Sequence, residues 1–298
     1  MKAMRSFGAQ RGVTLIELMI SLAIGLVVVG AVLVSFVGSG KAGRYQTALS
    51  QMNQDAQVAL NLLSREIQMA GYVSPGQTLG APAIFGCDST RSPTVSPFTS
   101  PEAAGAMTCQ PWTADSVSAL EVVYEADLLT TVPHSTGVPS DCLGNQLAAT
   151  APNFFITRNR YHIQASASSG RNELLCSSPA AAGSTQPLIE NVEDMQLWYG
   201  VATAAAPNTV ARYVQAGRDA STPDTVNAVG ATEWNNVNSV RICLLMRSAE
   251  PVLTSEDTAA TPNYLDCNSA SVPYPPGDYF LRRAYFTTAM VRTKMALY

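Results

Sequence analysis

Histidine is nearly missing from this chain, with only His134 and His162 in 298 residues. Neither stands in a nucleophile-elbow, H-E-x-x-H or phosphate-loop setting, so the usual general base of hydrolytic chemistry has no seat. His134 follows Pro133 in a loop and His162 alternates within Arg160-Tyr161-His162-Ile163, so both read as structural or surface residues. No C-x-x-C pair occurs, which removes the ligand spacing of ordinary zinc sites. Glu190, Glu193 and Asp194 lack the D-x-D-x-D-G spacing of a calcium loop and read as a solvated turn before a strand. Charge is scarce: Asp, Glu, Lys and Arg make up 13% of the chain, about half the usual share, and the net charge is −4. No patch of Lys or Arg occurs beyond residue 12, so direct nucleic-acid binding is not expected. These absences point away from an enzyme and away from a dedicated cofactor or metal.

What the chain does have is one long apolar run. From Val13 to Val37 only Glu17 is ionisable, and a helix of this length, at about 1.5 Å per residue, crosses a hydrocarbon core of about 30 Å. Lys2, Arg5 and Arg11 flank it on the N-terminal side, which keeps that end cytoplasmic and sends the rest across. A secretory signal peptide would have a shorter apolar core, without a charge, before its cleavage site. A plain membrane anchor accounts for length and flank but leaves Glu17 unexplained, since a carboxylate in such a span costs up to roughly 2.5–3.5 kcal/mol. A third reading fits all three features: a short basic leader ending in Gly12, a new start at Val13, and glutamate as the fifth residue after that start. This arrangement resembles the type IV prepilin signal.

The resemblance implies that a membrane prepilin peptidase cuts between Gly12 and Val13 and methylates the amino group of Val13. It also implies that Glu17 neutralises the amino terminus of a neighbouring subunit as helices pack into a filament. A buried carboxylate and a buried ammonium are each costly alone and tolerable together, so such a pair selects register. The chain departs from the commonest pattern at Val13, where major pilins usually carry Phe, and Met4 is a second candidate start.

Beyond the span the helix is expected to continue to about Ala70, some 90 Å in all. Lys41 and Arg44 mark the outer interface, and Tyr45, Leu49, Met52, Ala56, Ala59, Leu63, Ile67 and Ala70 form one apolar stripe at spacings of three and four. Gln46, Gln51, Asn53, Gln54, Asp55, Gln57, Asn61, Arg65 and Glu66 make the opposite face wet, and Gly71 is placed to end the helix in a left-handed turn. Gly25, Gly30, Gly38, Gly40 and Gly43 are either ordinary membrane-helix glycines or places where the helix bends or melts.

The remainder reads as a β-rich body with long connections. Residues 72–111 form a proline-punctuated loop, and 202–237 form a second excursion. Strands are expected at Val117–Tyr124, Asn153–Thr157, Arg160–Gln164, Glu173–Cys176, Met195–Val201, Val240–Met246 and Arg283–Val291, as in an antiparallel sheet. All six cysteines lie in the part expected to be exported, which indicates disulfides in an oxidising compartment. Composition leaves the pairing open; the sequential one, Cys87–Cys109, Cys142–Cys176 and Cys243–Cys267, is taken as the expectation.

Three body segments extend the resemblance. The stretch from Leu188 to Gly200, the strand Val240–Ser248 and the strand Arg282–Thr288 resemble segments of the PilW family of minor pilins. What this implies is an α+β, type IV pilin-like fold: a long N-terminal helix packed on an antiparallel β-sheet head with disulfide-stapled loops. The organisation would be a cleaved leader over 1–12, a transmembrane and filament-core half-helix over 13–40, an amphipathic half-helix over 41–71 and a periplasmic head over 72–298. The role implied is that of a minor pilin of the initiation and tip complex. Its partners would be other minor pilins, the major pilin, the prepilin peptidase, a tip adhesin and, before assembly, the inner membrane. Location would pass from the inner membrane, with the N-terminus cytoplasmic and the head periplasmic, to the pilus tip at the cell surface. Twitching, adhesion and DNA uptake are the activities such filaments serve. A minor pseudopilin of type II secretion and a membrane-tethered periplasmic binding domain are the competing readings.

Overall fold

The computed structural model describes residues 12–90, 116–178, 185–216, 229 and 233–294. The chain divides into two units, 1–47 and 48–298. A single helix, α1 (Leu15–Met69), contributes to both. It ends where the sequence places the stop: Gly71 takes a φ of 76° and donates its N–H to the Val123 carbonyl at 2.9 Å. A side chain there would also crowd Thr293 and Ala83, so two constraints demand glycine.

The second unit holds two antiparallel sheets. The first comprises β1 (Ile84–Thr90), β2 (Ser116–Ala126), β3 (Ala149–Ala151), β4 (Phe154–Ala165), β5 (Asn172–Ser177) and β6 (Thr185–Glu190). Their order is β1-β2-β4-β5-β6, with β3 on β4. The second sheet comprises β7 (Val192–Thr203), β8 (Ala206–Val214), β9 (Val237–Arg247) and, after a short helix α2 (Ser255–Ala260) and a hairpin of β10 (Asn263–Leu265) and β11 (Ser271–Pro273), β12 (Arg282–Met290). Its order is β12-β9-β7-β8. Between β6 and β7 only Asn191 intervenes, in the left-handed region at φ 59°, so one residue carries the chain from the first sheet to the second.

Both sheets and the helix share one core. Met52, Ala56, Ala59, Leu63, Ile67 and Ala70 of α1 are buried together with Leu120, Tyr161, Leu174, Met195, Leu197, Ile242 and Leu244. Each buried Leu, Ile or Met contributes about 1.5–3 kcal/mol, and the three alanines let the helix backbone approach the strands. The stripe begins later than its periodicity suggests, because Tyr45 remains 40% exposed while Ala48 and Met52 are buried.

The sequence pattern misplaces several elements. The loop expected over 72–111 contains β1, whose Gly86 and Cys87 break any alternation of apolar residues; its remainder beyond Thr90 lies outside the described residues. The excursion expected over 202–237 contains β8, an edge strand exposed along most of its length and therefore without an apolar face. The two strands expected at 153–157 and 160–164 are one strand, β4, with Arg158 and Asn159 inside it. Those polar residues look like a break because their partners are distant in sequence. Arg160 Nε lies 2.6 Å from Glu121 and Arg158 lies 3.5 Å from the same buried carboxylate. Asn159 Nδ2 donates to Glu66 at 3.0 Å and to the Tyr124 hydroxyl at 3.2 Å. Glu66 therefore does not belong to the wet face of α1: it serves a seam with the first sheet, and burial raises its pKa above the ordinary 4.5 against the opposing hydrogen bonds of Asn159, Tyr161 and Tyr124. The solvated turn expected at Glu190–Asp194 is likewise mostly strand. Glu193 lies within β7, where Arg282 Nε approaches it at 2.5 Å and Arg247 at 3.5 Å.

Disulfides join Cys142 to Cys176 and Cys243 to Cys267. Cys87 is also disulfide-bonded, and Cys109, its expected partner, lies outside the described residues.

Two predictions follow from the interior. Burial pushes the His162 imidazole down to about 4, with Arg160 adding repulsion, so the ring is neutral when folded. A folded pKa below the unfolded 6.5 contributes stability above that value which is lost as pH falls towards 4, about 3 kcal/mol at the limit. His162→Gln should flatten the melting temperature between pH 6.5 and 4 relative to wild type; parallel curves would contradict this account. The second prediction concerns Gly86, where an added Cβ would overlap the Tyr199 hydroxyl, itself buried and without a hydrogen-bond partner among the described residues. Gly86→Ala should lower unfolding free energy by about 1–3 kcal/mol, and Tyr199→Phe should recover part of it, read as a coupling energy in a double-mutant cycle.

Candidate assembly segment

The helix start is built from four consecutive residues. Thr14 stands just before the helix; its Oγ1 accepts the Glu17 N–H at 3.3 Å and its carbonyl accepts the Leu18 N–H at 3.2 Å. Thr14 is thus the N-cap and Glu17 the third helical residue, the Thr-x-x-Glu order of a capping box. The prepilin pattern points to Glu17 alone; the Thr-x-x-Glu spacing of the same residues is the signal for Thr14 as its cap. A carboxylate in the first turn is also favoured by the helix dipole.

Gly12 and Val13 lie just ahead of this cap and are exposed, Val13 by 67%. The apolar side chains that follow are exposed too, from Leu15 through Ile20, Leu26 and Leu33 to Phe36, which is 77% exposed. Among the described residues nothing covers them. The polar side chains of the segment satisfy themselves: Ser21 Oγ donates to the Glu17 carbonyl, Ser39 to Ser35 at 2.9 Å and Thr47 to Gly43 at 2.9 Å. That leaves a helix surface with apolar side chains and closed hydrogen bonds, the form that a lipid or helix-lined setting requires. A Cβ placed at Gly25, Gly30, Gly38, Gly40 or Gly43 would meet nothing within 4 Å, so no contact among the described residues explains these glycines. The helix runs unbroken through all five. Small residues at such positions suit close approach by another helix.

The other residues weighed for chemistry do not converge on this segment or on one another. His134 occupies a turn with its Nδ1 3.0 Å from Thr136 Oγ1, and His162 is buried in β4. Glu193 is committed to Arg282 and Arg247, and Asp194 accepts from Gln196 at 3.1 Å. Among the described residues no three His, Cys, Asp or Glu gather as a metal site. The disulfide cysteines are structural staples of the second unit.

Residues 160–293 match the family described as type IV pilus-assembly protein W, PilW, and residues 8–33 match the prokaryotic N-terminal methylation motif. No curated protein matches the chain in sequence. Among solved structures, a type IV-like pilin from Thermus thermophilus aligns over 82% of this chain and 97% of its own, at 11% identity and a TM-score of 0.40.

Removing the cap should loosen the start of the helix. In the full-length protein in detergent micelles, Thr14→Val should speed amide exchange at Glu17 about five-fold, the equivalent of about 1 kcal/mol, and leave exchange near Ala59 unchanged.

Proposed function

Because this chain belongs to the PilW family of type IV pilins and carries a prepilin-type N-terminal signal, we propose that it is a minor pilin of the complex that initiates pilus assembly and then sits at the filament tip. Pilins are structural proteins, and the chemistry asked of this one is packing and processing. Residues 1–12 form the leader that the prepilin peptidase removes, and Val13 becomes the methylated terminus. Residues 13–40 hold the protein in the inner membrane and later line the filament core, 41–71 tie that helix to the head, and 72–298 form the periplasmic head.

The observation that carries this reading is the coincidence at the N-terminus. Gly12-Val13 and Glu17 sit at the offsets of the processing motif, at the start of a helix whose apolar side chains have no cover among the described residues. In the membrane, lipid covers them; in the filament, the helices of other minor pilins and of the major pilin do. On leaving lipid, the Glu17 carboxylate needs a cation, and the amino group of an adjoining subunit supplies one. The exposed glycines on the same helix allow the approach that this pairing needs. The head, with little charge on its surface, then meets neighbouring minor pilins or a tip adhesin.

Intact mass and N-terminal sequencing of the protein from its native membrane should show a chain that starts at methylated Val13. Gly12→Leu should retain the leader and leave the protein in the membrane, and Glu17→Ala should be processed normally yet reduce surface pili severely. Normal piliation by both variants would reduce the segment to a plain anchor.

A further inference from the structure

The outer face of the second sheet gathers aromatic residues around one arginine. Strand pairing sets Trp198 of β7, Arg241 of β9 and Thr288 of β12 in one row, with Phe286 two residues along β12. Leu197, Tyr199, Val240 and Ile242 alternate with them and point the other way, into the shared core. The Arg241 guanidinium lies 5.5 Å from the centre of the Trp198 ring and 5.3 Å from that of Phe286, so two rings hold the cation. In the next row Gly200 pairs with Ser239 on one side and Tyr213 of β8 on the other, and Met290 of β12 pairs with Ser239. A Cβ on Gly200 would collide with the Tyr213 ring and the Ser239 hydroxyl, and the Tyr213 and Ser239 hydroxyls lie 2.9 Å apart. The Tyr213 ring therefore lies across the bare glycine and is fixed at its far end. Tyr213, Arg241, Phe286 and Met290 are exposed, and Trp198 is half-buried. Arg241 has no carboxylate partner among the described residues. Arg247 and Arg282 also stack on rings, but the first pairs with Glu193 and the second with Glu193 and Asp278. Asp194, four residues before Trp198 on β7, is engaged by Gln196.

We propose that this face docks another pilin of the same assembly through an acidic side chain that reaches Arg241, with apolar side chains beside it seated on Trp198, Phe286 and Met290. That the partner is a pilin rests on the functional reading above; its chemistry rests on the face itself. Trp, Tyr, Phe, Met and Arg are the residue types that concentrate at the centres of protein interfaces, where Lys, Asp and Glu are depleted. Here the one charge among such side chains is a cation without a carboxylate, so charge complementarity specifies an acidic group opposite it. The planar fork of the guanidinium donates two parallel hydrogen bonds to a carboxylate. Ordering these side chains costs little on docking, because the rings already fix Arg241 and Ser239 already fixes Tyr213. A nucleic-acid strand would need a track of cations, and the face offers Arg241 alone.

The test places a photo-crosslinking amino acid at Thr288, the pairing neighbour of Arg241, in the full-length protein in its native cell. The same probe at exposed Leu129, on the loop after β2, is the control away from the face. The adduct from Thr288 should be a protein with its own prepilin-type signal, joined at a peptide that contains Asp or Glu, and Leu129 should not give it. Arg241→Glu should cut its yield about ten-fold or more, and Arg241→Lys much less. Met290→Glu should cut it too, which keeps the test decisive if Arg241→Glu lowers the melting temperature of the head. Lysine in place of the mapped acid of the partner should restore the adduct to Arg241→Glu. No adduct from Thr288, the same adduct from Leu129, a yield indifferent to both glutamate variants, or an adduct with nucleic acid or with a protein lacking the signal would overturn the docking face. Loss of pili in Glu17→Ala with no adduct at Thr288 would remove this proposal alone, whereas normal piliation by Gly12→Leu and Glu17→Ala would remove the functional reading on which the choice of partner rests.

Discussion

One helix has to satisfy two solvents, and the rest of the molecule follows from how it does so. Up to Phe36 its exposed surface is apolar apart from Glu17 and a few hydroxyls, of which Ser21 bonds back to the helix backbone. From Ala48 on, the apolar residues narrow to a single stripe that two sheets bury. Burial of that stripe supplies the core of the second unit; its alanines set how near the strands lie, and its end at Gly71 is fixed by a hydrogen bond to β2. Apolar burial is not directional, so orientation comes from the polar contacts along the seam. Asn53 accepts from the Tyr285 hydroxyl at 2.6 Å on the second sheet, and Glu66 accepts from Asn159 on the first.

Those polar contacts explain what the sequence reveals and what it hides. The helix, its stop and the central strands β2, β5, β7 and β9 are legible because burial marks the residues that line a core, and the edge strand β12 is legible from its run of β-formers. Elements without a buried face leave no such mark. β8 is an exposed edge, and β1 carries a glycine and a cysteine where alternation would need apolar residues. Polar residues mislead in the opposite direction. Glu66, Arg158, Asn159 and Glu193 look like surface because the sequence cannot show that Asn159 lies 93 residues from its partner Glu66, or Arg282 89 residues from Glu193.

The N-terminal segment was legible to a greater degree because its signal is local. Glycine, glutamate and span all occur within one stretch, and each has a physical requirement that fixes its spacing; the capping role of Thr14 lies in the same stretch and shows in the hydrogen bonds of the helix start.

The ties of α1 to the sheets also have a mechanical meaning. Ala70 accepts a hydrogen bond from Thr293 at 2.9 Å, Gly71 donates to Val123, and Asn53, about five turns earlier, accepts from Tyr285. A pull along the helix axis loads these bonds together in shear, with the interlocked side chains from Met52 to Ile67 sharing the force. Such a joint yields only when many contacts slide at once, whereas bonds loaded one after another peel apart. The same helix that gathers the core is therefore anchored to bear tension along its own length.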